Sequence, residues 1–313
     1  MSMEFGDLTA QFTGDRLVTA AGIAELRRLG WADGRMTPDE AEALFVANEI
    51  SDAPDPEWCD FFVEALTSFV VNTVEPRGHV DAEMAEELIT RIDRDGRVGT
   101  MAELELLVRV IETASSVPAS LRAYALHQVE EAVALRDGPT RQGEVDRCGI
   151  NAVEVNLLRR VIFASASEHA AGIGRAEAEL LFRIKDATLY EANCPDWSDL
   201  FVQAAAQYLL GFAGDEAPDI ERMRELEGFM NREGAGIGGF LARIAQTDQR
   251  EGFGSLLGGY EPDAAALFTV SEQSWLQDML DADEDLDDLE RALIAFIDTE
   301  TGQTFVPRPS PAR

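Results

Sequence analysis

The chain has 313 residues, 46% of them apolar, which suits one large domain or two ordinary ones with real cores. Its 59 acidic side chains outnumber 26 basic ones, for a formal charge of -33. That balance excludes the counterion-releasing phosphate contacts of direct nucleic-acid binding and a polybasic membrane anchor. No 18-residue apolar run is present, so no membrane-spanning helix is expected. Cys59, Cys148 and Cys194 form no Cys-x-x-Cys pair, and Met1-Ser2-Met3-Glu4 has no basic region ahead of an apolar stretch. Free thiols and a cytoplasmic location are the expectation.

Helix starts follow one another along the chain. Thr19 precedes Ile23 and Leu26 at helical spacing. Thr37-Pro38-Asp39-Glu40 joins an N-cap threonine, a proline at N1 and a glutamate at N3, with Met36 as a staple residue before the cap. Phe61-Phe62-Val63 and Phe69-Val70-Val71 are β-prone in isolation, but Phe62, Leu66, Phe69 and Val70 keep a helical period and predict a buried helix. Asp81 opens a helix through Met84, Leu88 and Ile92, and Thr100 with Glu103 opens the next. Asn151 with Glu154, stapled by Ile150 and Val155, and Gly174 with Glu177 open two more. The fold class predicted is all-α.

Two stretches repeat in register. Glu40-Ala41-Glu42-Ala43-Leu44-Phe45 matches Glu177-Ala178-Glu179-Leu180-Leu181-Phe182, and Pro56-Glu57-Trp58-Cys59-Asp60 matches Pro195-Asp196-Trp197-Ser198-Asp199. Two copies in one order predict a helical bundle of two related halves, an internal duplication. The first half is expected at 15–136 and the start of the second at 145–213, joined through Gly138-Pro139-Thr140-Arg141-Gln142-Gly143. Proline opening each repeated helix and tryptophan anchoring it is the architectural reading of Trp58 and Trp197; a paired aromatic pocket is the alternative. Residues 214–300 hold a Gly-rich segment and an acidic helical region from Ser274 to Glu300, followed by a tail, 301–313, expected to be disordered.

Few patterns carry chemistry. Gly234-x-Gly236-x-x-Gly239 spells a dinucleotide fingerprint, but no strand precedes it, so a loop is expected there. His79, His127 and His169 form no paired metal motif, and no nucleophile elbow or phosphate loop is present. An enzyme is therefore the least favoured reading. Asp281, Asp283, Asp285, Asp287 and Asp288 form a carboxylate block suited to docking a protein with a basic surface; a solvated acidic helix and a DNA mimic are the alternatives. The turns at Asp33-Gly34 and Asp95-Gly96 keep fragments of a calcium loop without its full oxygen set, leaving open a weaker divalent site shared between turns.

Ala32-Asp33-Gly34-Arg35-Met36-Thr37-Pro38-Asp39-Glu40 and Arg94-Asp95-Gly96-Arg97-Val98 resemble turns of the TerB-like tellurite-resistance family. The resemblance implies a cytoplasmic all-helical fold and a divalent cation, Ca or Mg, held by Asp33, Glu40, Asp93 and Asp95. It does not extend to Gly149-Ile150-Asn151 or Ala171-Gly172-Ile173-Gly174, which lack a turn aspartate. The layout, including Asn72-Thr73-Val74-Glu75-Pro76-Arg77-Gly78, also resembles a group of acidic alphaproteobacterial proteins. The function expected is protein interaction or regulation with no resident cofactor; metal binding of the TerB-like kind and DNA mimicry are the alternatives.

Overall fold

A computed structural model describes residues 9, 20–30, 36–50, 56–73, 77–141, 149–164, 173–211, 268, 270–280, 286–302 and 304–307. It is all-α, with eleven α-helices and a single two-stranded hairpin among the described residues. The chain forms two compact units. Met1–Asp146 with Ala164–Glu168 make the first, and Arg147–Phe163 with His169–Arg313 the second.

The first unit contains α1 (Ala20–Gly30), α2 (Pro38–Ile50), α3 (Pro56–Ser68), α4 (Ala82–Ile92), α5 (Met101–Thr113) and α6 (Ala119–Leu135). Their starts are chemically determined. Thr37 and Glu40 exchange bonds as a capping box, with the Glu40 carboxylate accepting from the Thr37 N–H at 2.8 Å. Asp81 caps α4 through the Met84 N–H, and Thr100 with Glu103 caps α5 reciprocally. Helix α3 lies at the centre, packed against α1, α2 and α5. Its Trp58, Phe61, Phe62 and Leu66 are wholly buried, together with Leu26, Leu44, Leu104 and Leu107 from the surrounding helices. After Ser68 the helix widens into a π-turn, Phe69–Thr73.

Between α4 and α5 the chain makes the hairpin, β1 (Asp93–Arg94) paired with β2 (Arg97–Val98). Asp95 and Gly96 both have positive φ, 58° and 90°, which is the type I′ geometry that Asp-Gly favours. Helix α6 pins it. Asp93 accepts from the Gly96 N–H and the Tyr124 hydroxyl, each at 2.8 Å. Buried Gln128 accepts the Val98 N–H and donates to the Gly96 carbonyl. Burial and the bond to Asp93 hold the Tyr124 phenol above its usual pKa, so it stays a donor.

The second unit contains α7 (Ala152–Ile162), α8 (Arg175–Ala187), α9 (Asp196–Gly211), α10 (Val270–Leu280) and α11 (Asp288–Thr301). Asn151 with Glu154 and Asp287 with Glu290 form complete capping boxes. Gly174 has no side chain to offer, so α8 keeps only the returning bond, Gly174 N–H to Glu177 at 3.0 Å. Helix α9 packs against α7, α8 and α11 and buries Trp197, Leu200 and Phe201. Trp275 of α10 meets Phe182 and Tyr208 edge-on, with centroids 5.6 and 4.7 Å away. The acidic C-terminal region is two helices rather than one, because Asp287 begins a new helix instead of continuing the old. Within the stretch read as a tail, Phe305 packs on Phe268 and donates its N–H to Asp298 at 2.7 Å.

The α8–α9 turn closes on the start of α7. The Gly149 N–H donates to the Ala192 carbonyl, the Ile150 N–H to Asn193 and the Cys194 N–H to the Ile150 carbonyl. A Cβ at Gly149 would stand 2.1 Å from the Asn193 side-chain oxygen and 2.8 Å from Glu191 Cβ. Gly149→Ala is expected to destabilise the second unit by about 1–3 kcal/mol, the cost of overpacking. Denaturant unfolding checks it; an unchanged midpoint would show that the turn yields freely.

Among the described residues, a buried polar joint involves Asn48 in the first unit and Lys185 in the second, 137 residues apart like Glu40 and Glu177. In the first, wholly buried Asn48 of α2 donates to the hydroxyl of Thr100, the N-cap of α5, and accepts from the Trp58 indole, both at 3.1 Å. In the second, the repeat places Lys185, the only lysine of the chain, where the first unit has Asn48. Lys185 is 1% exposed and reaches Asp287, the N-cap of α11, at 2.6 Å, Glu290 at 2.7 Å and Asp186 at 2.7 Å. Burial works against its charge, but the bonds to Asp186, Asp287 and Glu290 outweigh it and hold its pKa above the ordinary lysine value. An ammonium has donors only. The Trp197 indole N–H, which stands 139 residues after that of Trp58, accordingly has no hydrogen-bond partner among the described residues.

Candidate groove between α3 and α5

The first unit carries a groove of about 560 Å³ between α3, its π-turn and α5. Helix α3 supplies one wall through residues spaced three and four apart, Cys59, Asp60, Val63, Glu64, Thr67 and Ser68. Asn72 of the π-turn, four residues beyond Ser68, lies on the same wall. Met101, Ala102, Glu105 and Arg109 of α5 make the other wall at the same spacing.

Floor and rims differ chemically. Val63, Thr67 and Ala102 are buried and form the floor. Asp60 is exposed, Glu64 is 57% exposed in its side chain, and Glu105 is half-buried. Against these three carboxylates stands Arg109, whose guanidinium lies 3.9 Å from Glu112. Arg27 of α1 holds Glu64 in place at 2.6 Å and lies over the Phe61 ring. The Thr67 hydroxyl is buried and has no hydrogen-bond partner among the described residues. An apolar floor, an unsatisfied hydroxyl in it and a negative rim make a surface able to take an apolar stem with a cationic head.

A second acidic surface lies on α4, where Glu83, Glu86, Glu87, Thr90 and Arg91 line a shallow depression. It has no apolar floor, and Arg91 is paired with Glu42 there.

The expected metal ligands take other roles where they are described. Glu40 closes the α2 capping box, and both Asp93 oxygens accept hydrogen bonds within the hairpin. Asp95 is exposed at the turn. Asp33 lies outside the described residues, among which no three His, Cys, Asp or Glu side chains are grouped to hold a metal. Of the acidic block, Asp281, Asp283 and Asp285 also lie outside them. Asp287, 8% exposed in its side chain, faces Lys185 and caps α11, so it adds nothing to an exposed acidic face. Asp288 is 99% exposed and pairs with Arg291 at 2.6 Å. Cys148, His169, Gly234-Ala235-Gly236-Ile237-Gly238-Gly239 and the rest of the Gly-rich segment are outside the described residues as well.

Sequence reading missed the groove residues Glu64, Thr67, Glu105 and Arg109. The available signal was Thr67 and Glu64 on the repeated helix α3, where the second half has Ala206 and Gln203. No protein-family model, curated protein or solved structure matches the chain.

Proposed function

We propose that the protein is an acidic interaction module on a duplicated helical scaffold, and that it engages a protein partner through the α3–α5 groove. The observation that carries this reading is the groove itself, apolar at its floor and bordered by three carboxylates and one arginine. Elsewhere the negative surface disperses charge for solubility; here it borders apolar area that water covers poorly. Duplication is supported by the order α1-α2-α3 against α7-α8-α9, by the two buried tryptophans and by the matching joints at Asn48 and Lys185.

The test is retention of a partner from the protein's own cell extract by the tagged full chain and by Asp60→Arg/Glu105→Arg, both on the rim. Salt weakens surface attraction far more than a packed interface, so washes at about 150 mM and about 500 mM separate the two. The wild type is expected to keep a stoichiometric protein through the stronger wash and the variant to lose it. Equal retention by both proteins, or no retained protein, would overturn the proposal.

A further inference from the structure

The groove's shape and chemistry specify its occupant, resting on the interaction reading above. We infer that it receives a basic amphipathic helix of a partner protein, which sets one long cationic side chain over Thr67.

Length, spacing and charge lead there. The wall from Cys59 to Asn72 covers more than three helical turns, roughly 20 Å at 1.5 Å per residue, the length of a helix of about 13 residues. Both walls carry their groove residues three and four apart, so a helix laid between them meets the floor through its own residues at that spacing. Glu64 is paired with Arg27, so the rim keeps Asp60 and Glu105 against Arg109, and this excess of acid selects basic residues flanking the apolar stripe.

One point in the floor is more specific. Thr67 is 5% exposed, lines the groove and has no partner for its hydroxyl among the described residues. A lysine or arginine stem laid on Val63 and Ala102 delivers an N–H to that oxygen while Glu105 of the facing wall balances the charge. At the offset of the repeated stretches, Gln203 and Ala206 stand where α3 has Glu64 and Thr67; counted from the N-caps Thr100 and Asp287, α11 has Ala292 and Phe296 where α5 has Glu105 and Arg109. None of these four residues is charged, so they suggest the replacements for the test.

The test uses the full chain and a fluorescein-labelled peptide of about 14 residues, with leucines at helical spacing flanked by arginines. A scrambled peptide of the same composition and spermine serve as competing probes, read by fluorescence anisotropy at about 150 mM salt. One peptide is expected to bind per chain, and the scrambled peptide to bind at least about tenfold more weakly. Thr67→Ala/Glu105→Ala, which copies the second unit, is expected to lose about tenfold, with helix content by circular dichroism unchanged. Glu83→Gln/Glu86→Gln/Glu87→Gln on α4 is expected to stay within about twofold, the effect of a distant exposed charge. Equal binding of the scrambled peptide, equal loss in the α4 variant, or stoichiometric spermine binding without helix binding would each overturn the inference. Loss of the cellular partner in Asp60→Arg/Glu105→Arg alongside failure of the peptide would leave the interaction reading standing and remove the basic helix alone.

Discussion

Lys185→Met is expected to lower the stability of the second unit by about 3–5 kcal/mol, because it leaves Asp287 and Glu290 buried with no cation. The methionine fills most of the volume, so the loss reports charge more than cavity. Three carboxylates share this one ammonium, and burial pushes Glu290 above the usual carboxylate range against the pull of Lys185. A carboxyl whose pKa is raised in the folded state binds its proton before the unfolded chain does. The stability it contributes is full below the unfolded value and is lost as pH rises through the folded one. The deficit of the variant should therefore shrink as pH falls toward the carboxylate range. The first unit indicates the repair. Lys185→Asn/Asp287→Thr/Glu290→Gln copies the neutral joint of Asn48 and Thr100, keeps the α11 capping box and offers the Trp197 indole an acceptor. It should recover most of the loss. Denaturant unfolding with hydrogen exchange on α8 and α11 reads both variants, and a Lys185→Met protein as stable as the wild type would show the joint to be idle.

Trp58→Phe and Trp197→Phe are expected to differ although both rings are buried within the same repeated pattern. Each loses part of a large aromatic side chain, a common cost of about 1–3 kcal/mol. Trp58→Phe also strands the side-chain oxygen of Asn48, which is wholly buried and accepts from that indole. Trp197→Phe removes an N–H that has no partner among the described residues. The first substitution should cost about 1–3 kcal/mol more than the second, the penalty of an unsatisfied buried group. Equal losses in unfolding titrations would mean that the Asn48 bond adds nothing.

Local chemistry accounts for what the sequence revealed. Capping boxes at Thr37, Thr100 and Asn151 act over three residues, so their helix starts can be read directly. The tryptophans could be recognised as anchors because proline, tryptophan and aspartate recur in order. The Asp95-Gly96 turn was ambiguous, since the same residues serve a calcium loop and a type I′ hairpin. Tyr124 and Gln128 select the hairpin from helix α6, 31 and 30 residues from Asp93 and Val98. Asp287 reads as exposed acid because its partner Lys185 is 102 residues away. The groove required two helices, a π-turn and a hydroxyl left without a partner, and no contiguous pattern encodes that combination.

Hydrogen exchange of the full chain with and without its retained partner tests most directly whether the α3–α5 groove is the contact surface. Backbone amides slow where an interface suppresses local opening. Added protection is expected to concentrate at 59–73 and 101–109, with α4 and the Lys185 joint unchanged. Protection confined to other parts of the chain, or none in α3 and α5 at saturating partner, would contradict the assignment.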